Sequence, residues 1–255
     1  MTDLSYQLYS SRNFQPLPDT LKMLAGLGYS QVEGYGGLFT DDAAIDALRR
    51  DLDANGLHMA TAHFGLDMVR GAPDRALDIA GRLGVEAVFV PFLVPDDRPK
   101  DAVGWRAFGK TLNTLGEPFR NAGLDFGWHN HDFEFEPTEA GEMPLDLILA
   151  GGGDLALELD IAWAVRGGQE PIAWIEKHAE RVVAVHVKDI APAGENADED
   201  GWADVGHGVM DWPAIMEALG KTKARYLVME HDNPSDHARF ARRSIETVRA
   251  LRGEA

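Results

Sequence analysis

Short apolar, β-branched segments alternate with helical patterns along the whole chain, and this alternation limits the fold more than any other feature. It is typical of βαβ units that build a parallel sheet. Eight units in 255 residues leave about 30 residues for each, which is the length that a closed barrel needs. The predicted strands are residues 4–8, 31–35, 58–63, 87–91, 124–129, 155–160, 182–188 and 226–230.

Helix signals fall between these strands. The clearest predicted helices are residues 41–54, 73–83, 103–122 and 171–178. Gly56, Gly84 and Gly123 follow three of them and indicate where each helix ends. Asp211, followed by Pro213, has the spacing of a helix start.

The rival fold is an open, doubly wound sheet, which usually has a glycine-rich phosphate loop after its first strand. Here that turn, residues 10–16, reads SSRNFQP and contains no glycine. We therefore predict an α/β chain that forms a single (β/α)8 TIM barrel domain over residues 1–255. The long loop at 191–208, rich in Gly, Asp and Glu, follows the seventh strand and is expected to shape a site there.

Composition excludes several classes of protein. There is no cysteine, so disulfides and thiolate metal sites are excluded. The net charge of −18 opposes nucleic-acid binding, and Arg239, Arg242 and Arg243 form the densest basic cluster. With no signal-peptide pattern and no apolar run of about 20 residues, we expect a soluble, cytoplasmic protein without a membrane partner. A homodimer is the base-rate expectation for its assembly.

Ionisable residues gather where the predicted strands end. In a barrel, polar side chains at the C-terminal ends of strands serve function, because the strand interior is packed core. On strand six the alternation of side chains turns Glu158 and Asp160 inward and the intervening leucines outward. The remaining strand-end candidates are Glu33, His63, His129, His131, His186, Lys188 and Glu230.

Four successive strand ends present His129, Asp160, His186 and Glu230 toward a common point. Buried charges need partners or a metal, so we predict one divalent ion. This mixture of ligands suits Mn, Zn, Co or Mg, and the histidines favour the first three over Mg. Other interpretations stay open at this point: Glu158 could pair with Lys188, Glu33 could cap a helix, and each histidine could be structural. Asp132, Glu134 and Glu136 could line a solvated edge.

Five sequence blocks resemble the sugar phosphate isomerase/epimerase family, the xylose-isomerase-like barrels. They are WHNHDFEF at 128–135, LELDIAW at 157–163, HVKD at 186–189, DVGHGVMDWP at 204–213 and MEHDNP at 229–234. The resemblance implies one divalent ion held by a Glu, an Asp, a His and a Glu from strands five to eight. These positions fall on His129, Asp160, His186 and Glu230, so strand five has histidine in place of glutamate. His131 is the competing ligand.

The resemblance implies an isomerase or epimerase that removes a proton beside the carbonyl of a keto-sugar through a metal-stabilised enediolate. Glu230 is the expected base, with Lys188, His131 or Glu158 as the acid. The predicted substrate contacts are His63, His131, Glu33 and Trp163. Aromatic walls are expected from Tyr35, Phe92 and Trp163, with Phe14, Phe64 and Trp202 as further candidates.

Three alternatives stay open for the activity. The histidine-rich strand five resembles that of inosose dehydratases and keto-glycoside-processing relatives, which keeps a lyase as the second interpretation. An endonuclease IV-like phosphodiesterase needs a basic surface that the charge of −18 opposes. A barrel with a structural metal and no catalysis is the third. No glycine-rich phosphate cradle stands out, which favours a small carbohydrate ligand without phosphate.

Overall fold

The computed structural model describes residues 3–254 and contains a closed barrel of eight parallel strands. The first strand pairs with both the second and the last, which closes the barrel. The predicted TIM barrel is therefore confirmed. The strands are β1 (Leu4–Gln7), β2 (Gln31–Tyr35), β3 (His58–His63), β4 (Ala87–Val90), β5 (Asp125–His129), β6 (Ala156–Asp160), β7 (Val182–Val187) and β8 (Tyr226–Met229).

Helices surround this barrel. Only one helix prediction needs correction: residues 103–122 form two helices rather than one, with a break at Gly116. Pro118 explains the break, because its ring clashes with the carbonyl four residues earlier and it has no N–H to donate. The helices are α1 (Leu17–Leu27), α2 (Asp42–Asn55), α3 (Leu66–Gly71), α4 (Pro73–Leu83), α5 (Ala102–Leu115), α6 (Glu117–Asn121), α7 (Pro144–Gly151), α8 (Ile161–Arg166), α9 (Pro171–Lys177), α10 (Trp212–Leu219) and α11 (His237–Leu251).

The predicted start of α10 is observed, since the Asp211 carboxylate accepts a hydrogen bond from the Ala214 N–H. Gly56 and Gly84 end α2 and α4 in the left-handed conformation that glycine adopts without strain. None of the helices within residues 3–254 has the length and apolar character that crossing a membrane requires.

The register of the strands decides which polar residues meet. His129 on β5 lies beside Glu158 on β6, and Asp160 lies beside His186 on β7. A register shift between β6 and β7 falls just before Glu158, so that Glu158 lies beside Ala184 and Asp160 beside His186. The leucines of β6 lie in the core, as the alternation predicts. The barrel therefore collects charged groups from different strands in layers near its C-terminal end.

The loop that follows β7 forms structure of its own. Asp189–Ile190 pairs antiparallel with Trp202–Ala203. The Asp189 carboxylate accepts hydrogen bonds from Trp212 Nε1 and from backbone N–H groups of the loop. Trp202 is fully buried, and Lys188 Nζ lies 3.9 Å from the centre of its ring. The loop thus forms one side of the region around Lys188.

Candidate active site

A cavity of about 480 Å³ opens at the C-terminal ends of the barrel strands. Its volume is in the range of small-molecule sites. Asp160, His186, Lys188, Glu230 and Asp232 form a charged part of its wall. Further lining groups are the histidines His63, His129 and His131 and the aromatic residues Tyr9, Tyr35, Phe92 and Trp163.

Asp160, His186 and Glu230 form a first group of possible metal ligands, which we call the outer group. One ligand atom from each residue lies within 4.8 Å of those from the other two. Asp160 Oδ2, His186 Nδ1 and Glu230 Oε2 are all buried. Asp160 Oδ2 and His186 Nδ1 make no hydrogen bond within residues 3–254, whereas Glu230 Oε2 lies 2.8 Å from Lys188 Nζ. Three potential metal-binding atoms therefore face one another, and two of them have no hydrogen-bond partner.

A second set of residues, the inner group, contains His63, His129 and Glu158, and His186 belongs to it as well. Glu158 Oε2 lies 2.5 Å from His63 Nε2 and 3.1 Å from His129 Nδ1. Glu33 joins them from β2, with Oε1 at 2.7 Å from His186 Nε2 and 3.3 Å from His63 Nε2. Glu33 and Glu158 are fully buried and, among the described residues, do not line the cavity.

The predicted ligand set is thus divided between two groups. Asp160, His186 and Glu230 come together in the outer group, whereas His129 falls in the inner group. The division is narrow, because the His129 and His186 ring centres are 4.4 Å apart and both rings line the cavity. His131, the competing candidate, also lines the cavity, and its ring centre lies 5.0 Å from that of His129.

Lys188 is buried although it is charged, with 1% of its surface exposed. Its Nζ lies 2.8 Å from Glu230 Oε2 and 3.8 Å from Asp160 Oδ2, and it also donates to Asp232. Burial lowers the pKa of Lys188, but the three nearby carboxylates raise it by a larger amount, so the net shift is upward. The amine therefore stays an ammonium ion. The pairing of Lys188 with Glu158, considered from the sequence, is not formed in residues 3–254.

Burial also shifts the pKa values of the site carboxylates. Burial and the charge of Asp232 raise the pKa of Glu230, against the lowering effect of Lys188. Burial and the neighbouring Glu33 raise the pKa of Glu158. Glu33 behaves differently: burial raises its pKa, but His63 and His186 lower it below the usual range.

The histidines separate into two kinds. Burial lowers the pKa of His129 well below its usual value, and the neighbouring His186 and His63 lower it further. Burial and Lys188 lower the pKa of His131 to about 4. Both rings are therefore neutral near pH 7. For His186, burial lowers the pKa, but Glu158 and Glu33 raise it well above the usual value.

Glu33 and Glu134 correct two interpretations of the sequence. Glu33 lies in the barrel interior, where Gln7 Nε2 donates to it at 2.7 Å, and it does not cap a helix. Glu134 is fully buried rather than on a solvated edge, because it accepts hydrogen bonds from Trp128 Nε1 and the His131 N–H, both at 2.8 Å. Asp132 and Glu136 are exposed, as that interpretation expected.

Of the aromatic residues predicted to form cavity walls, some line the cavity and others pack elsewhere. Tyr35, Phe92 and Trp163 line the cavity. Phe64 is instead a fully buried core residue that packs edge-to-face on Phe39. The Phe14 ring stacks on His237. Trp202 lies behind Trp163, with ring centres 4.8 Å apart.

Gln7, Tyr9 and Asp232 were not predicted from the sequence, yet all three line the cavity. Gln7 ends β1, so the rule that selected the other strand-end residues also applies to it. Asp232 lies two residues after Glu230, in the MEHDNP block. The partners of Gln7 and Asp232 are far away in sequence, and the sequence alone does not identify them.

The donor set of the outer group fits a divalent metal. It combines two carboxylates with one imidazole nitrogen, which are ligands of Mn, Zn, Co and related ions. Buried donor atoms without hydrogen-bond partners are costly unless a cation satisfies them. His129, on the neighbouring strand, lines the same cavity, and its ring centre lies 4.4 Å from that of His186.

Comparison with known proteins gives a consistent result. A curated relative, the rhizopine catabolism protein MocC of Rhizobium meliloti, is 26% identical over 169 residues, which are 58% of this chain and 51% of that protein. The chain therefore spans about half the length of this relative. A solved sugar phosphate isomerase/epimerase from Parabacteroides distasonis superposes with a TM-score of 0.79 at 24% identity, covering 98% of this chain and 94% of that one.

A third comparison is with the solved IOLI protein, which has a bound zinc atom. It superposes with a TM-score of 0.71 at 15% identity and covers 98% of this chain and 97% of that one. At these identities the two structural matches show the fold alone. The sequence itself matches the family described as xylose isomerase-like TIM barrel over residues 21–251. This chain therefore belongs to the xylose isomerase-like TIM barrel family.

Proposed function

We propose that this protein is a metal-dependent isomerase or epimerase that moves a proton at the carbon beside a carbonyl group of a phosphate-free carbohydrate. The observation that carries the proposal is the outer group, where Asp160 Oδ2, His186 Nδ1 and Glu230 Oε2 are buried together beside a cavity of about 480 Å³ and the first two have no hydrogen-bond partner. The likeness to a sugar phosphate isomerase/epimerase of the same fold supports the reaction class.

Asp160, His186 and Glu230 would hold the metal, with His129 as the fourth protein ligand. This donor set favours Mn, Zn or Co over Mg because it includes imidazole. When bound, the ion supplies Lewis-acid stabilisation for the negative charge that develops on a carbonyl oxygen. The rest of the chemistry depends on proton transfers by the side chains of this chain.

Glu230 is the proposed base. It is 4% exposed and lines the cavity, and in the metal-free protein burial together with Asp232 raises its pKa above the ordinary glutamate range. A carboxylate positioned in the cavity wall can take a proton from a bound substrate. Lys188 Nζ, 2.8 Å from Glu230 Oε2, holds this carboxylate in place and balances its charge.

The second proton carrier would be His131 or Lys188, since both line the same cavity. His131 is neutral near pH 7 because burial lowers its pKa to about 4, so its ring can accept a proton. Lys188 is an ammonium ion and can donate one. Glu158 is a weaker candidate, since His63 and His129 surround it outside the cavity lining.

One observation favours a lyase as a second candidate. Two-glutamate epimerisation uses a second metal-bound glutamate, from strand five, and that position holds His129 instead. One carboxylate base with an imidazole or ammonium acid suits removal of a proton followed by loss of a neighbouring oxygen substituent. Release of water or of an alcohol, measured beside proton exchange, would separate the two reactions.

The decisive experiment incubates keto-sugars and inososes with metal-loaded protein in deuterated water and follows the α-proton by NMR. We expect exchange that needs the metal and that is lost in Glu230→Gln. Glu246→Gln on the exposed face of α11 is the matched control and should exchange normally. Exchange retained in Glu230→Gln removes Glu230 as the base, and metal-independent exchange overturns the proposal.

A further inference from the structure

A buried carboxylate lies beside each of two histidines that line the cavity, His186 and His129. Glu33 Oε1 is 2.7 Å from His186 Nε2, and Glu158 Oε2 is 3.1 Å from His129 Nδ1. Both carboxylates are fully buried and do not line the cavity within residues 3–254. Each therefore approaches its histidine from the side that faces away from the cavity.

His63 connects these two carboxylates. Its Nε2 lies 2.5 Å from Glu158 Oε2 and 3.3 Å from Glu33 Oε1. Gln7 Nε2 holds Glu33 Oε1 from β1 at 2.7 Å. The result is a continuous layer from β1 to β6 in which the two carboxylates are fixed relative to each other.

An ionised carboxylate only accepts hydrogen bonds, so a ring nitrogen beside it must carry the proton. On His186 that nitrogen is Nε2, which leaves Nδ1 as the lone-pair nitrogen. His186 Nδ1 lies 3.6 Å from Asp160 Oδ2, and both atoms are buried without a hydrogen-bond partner. A cation between these two atoms, either a proton or a metal ion, would satisfy both. His129 Nδ1 makes no hydrogen bond with Glu158 in residues 3–254, so this second contact does not assign the tautomer of His129.

We infer that Glu33 is a positioning residue that fixes the tautomer of His186, so that His186 ligates through Nδ1. A carboxylate that accepts the second N–H of a ligating histidine fixes the ring and raises its basicity. Gln7 and His63 hold Glu33 in place. The inference rests on the proposed metal centre and assigns a role to Glu33, which the proton-transfer chemistry does not use.

The first test is the NMR spectrum of the zinc-loaded full chain labelled with 15N-histidine, with long-range proton–nitrogen correlations that distinguish the ring nitrogens. Zinc alone is the probe, and no substrate is needed. We expect His186 to carry its proton on Nε2, with its signals assigned from a His186→Gln variant. His186 found with Nδ1 protonated in the zinc-loaded protein overturns the inference and leaves the metal centre intact.

The second test is the zinc affinity of Glu33→Gln, which keeps the shape of the side chain and removes its charge. We expect affinity to fall about 10- to 100-fold, as for other residues behind metal ligands. Gln7→Leu removes only the hydrogen bond to Glu33, so its zinc affinity should fall by a smaller factor. The matched control is Glu199→Gln, another buried glutamate that pairs with Arg239 away from the cavity, and its affinity should stay within twofold.

Three results decide the matter. Equal affinity in wild type, Glu33→Gln and Gln7→Leu overturns the positioning role. A fall of the same size in Glu199→Gln also overturns it, because the effect would then reflect general stability. Wild-type protein that takes up no zinc overturns the metal centre itself, and the inference with it.

Discussion

Lys188 Nζ and Glu230 Oε2 lie 2.8 Å apart in a region where at least 95% of each residue's surface is buried. The pair joins the end of β7 to the end of β8, and Asp232 completes it. The Lys188 ammonium balances the charge of carboxylates that are buried away from water.

We therefore expect Lys188→Met to cost about 3–5 kcal/mol of unfolding free energy at pH 8 without metal, the range for a broken buried pair. The cost should be smaller at pH 5, because Glu230 and Asp232 can then take up protons. Urea unfolding at both pH values measures this. Lys221→Met, which breaks an exposed pair with Glu217, should cost less than about 1 kcal/mol. Equal costs for the two variants would contradict the expectation.

Glu134 gives stability an unusual dependence on pH. Burial raises its pKa to about 8, against the lowering effect of hydrogen bonds from His131 and Trp128. Because the folded pKa lies above the unfolded value of 4.5, the free energy of unfolding should fall as pH rises from 4.5 to 8. Glu134→Gln is less stable at pH 5, by about 1–3 kcal/mol, because its amide cannot accept both hydrogen bonds.

The difference between wild type and Glu134→Gln should then narrow by more than about 1 kcal/mol between pH 5 and pH 8, since one pKa unit corresponds to about 1.4 kcal/mol. Chemical denaturation at three pH values in this interval measures the difference. A constant difference would show that Glu134 is ionised in the folded protein throughout.

Glu199 should stabilise the folded protein at neutral pH and lose this effect in acid, which is the opposite of the behaviour expected for Glu134. Burial raises its pKa, but Ser235 and Arg239 lower it to about 2. Its contribution to the free energy of unfolding is therefore fully present above the unfolded pKa of 4.5 and is lost as pH falls toward 2. Glu199→Gln should cost about 1.5–3 kcal/mol at pH 7 and almost nothing at pH 2. Thermal unfolding across this range checks both values, and an undiminished cost at pH 2 refutes the assignment.

His129 and His131, on either side of Asn130, should differ in their effect on metal binding. We expect His129→Ala and His186→Ala to lose the single bound ion, because both rings belong to the clusters of ligand atoms. His131→Ala should retain the ion and lose proton exchange, because its ring lines the cavity beside Phe92 and Trp163. Elemental analysis measures the first effect and NMR the second. Loss of the metal in His131→Ala alone would exchange the roles of the two residues.

Charge in the cavity should discriminate against phosphorylated ligands. Asp160, Glu230 and Asp232 line it, and the ammonium of Lys188 is already paired with them. An added phosphate near one carboxylate costs about 1–4 kcal/mol at 4 Å. We expect a phosphorylated keto-sugar to bind roughly tenfold or more weakly than its unphosphorylated partner, measured by calorimetry. Asp232→Asn should reduce the difference, and tighter binding of the phosphorylated sugar would contradict this prediction.

Local sequence rules predicted the barrel and many of the residues that line its cavity. Alternation of strands and helices depends on neighbouring residues, so the eight βα units could be recognised without long-range information. The two-residue period of a strand placed Glu158 and Asp160 on the inner face of β6, and the structure agrees. The break at Gly116 was missed because the helical pattern continues across Pro118.

Only the tertiary structure decided which of these inward residues meet. Strand register brings Glu33 to within 2.7 Å of His186, which is 153 residues away, and divides the candidate ligands at the strand ends into an outer and an inner group. Likewise, the polar segment after β5 turns Glu134 inward onto Trp128. The physical reason is that residue type and period fix the face on which a side chain lies, whereas its partner, burial and pKa depend on barrel closure and on the shear between distant strands.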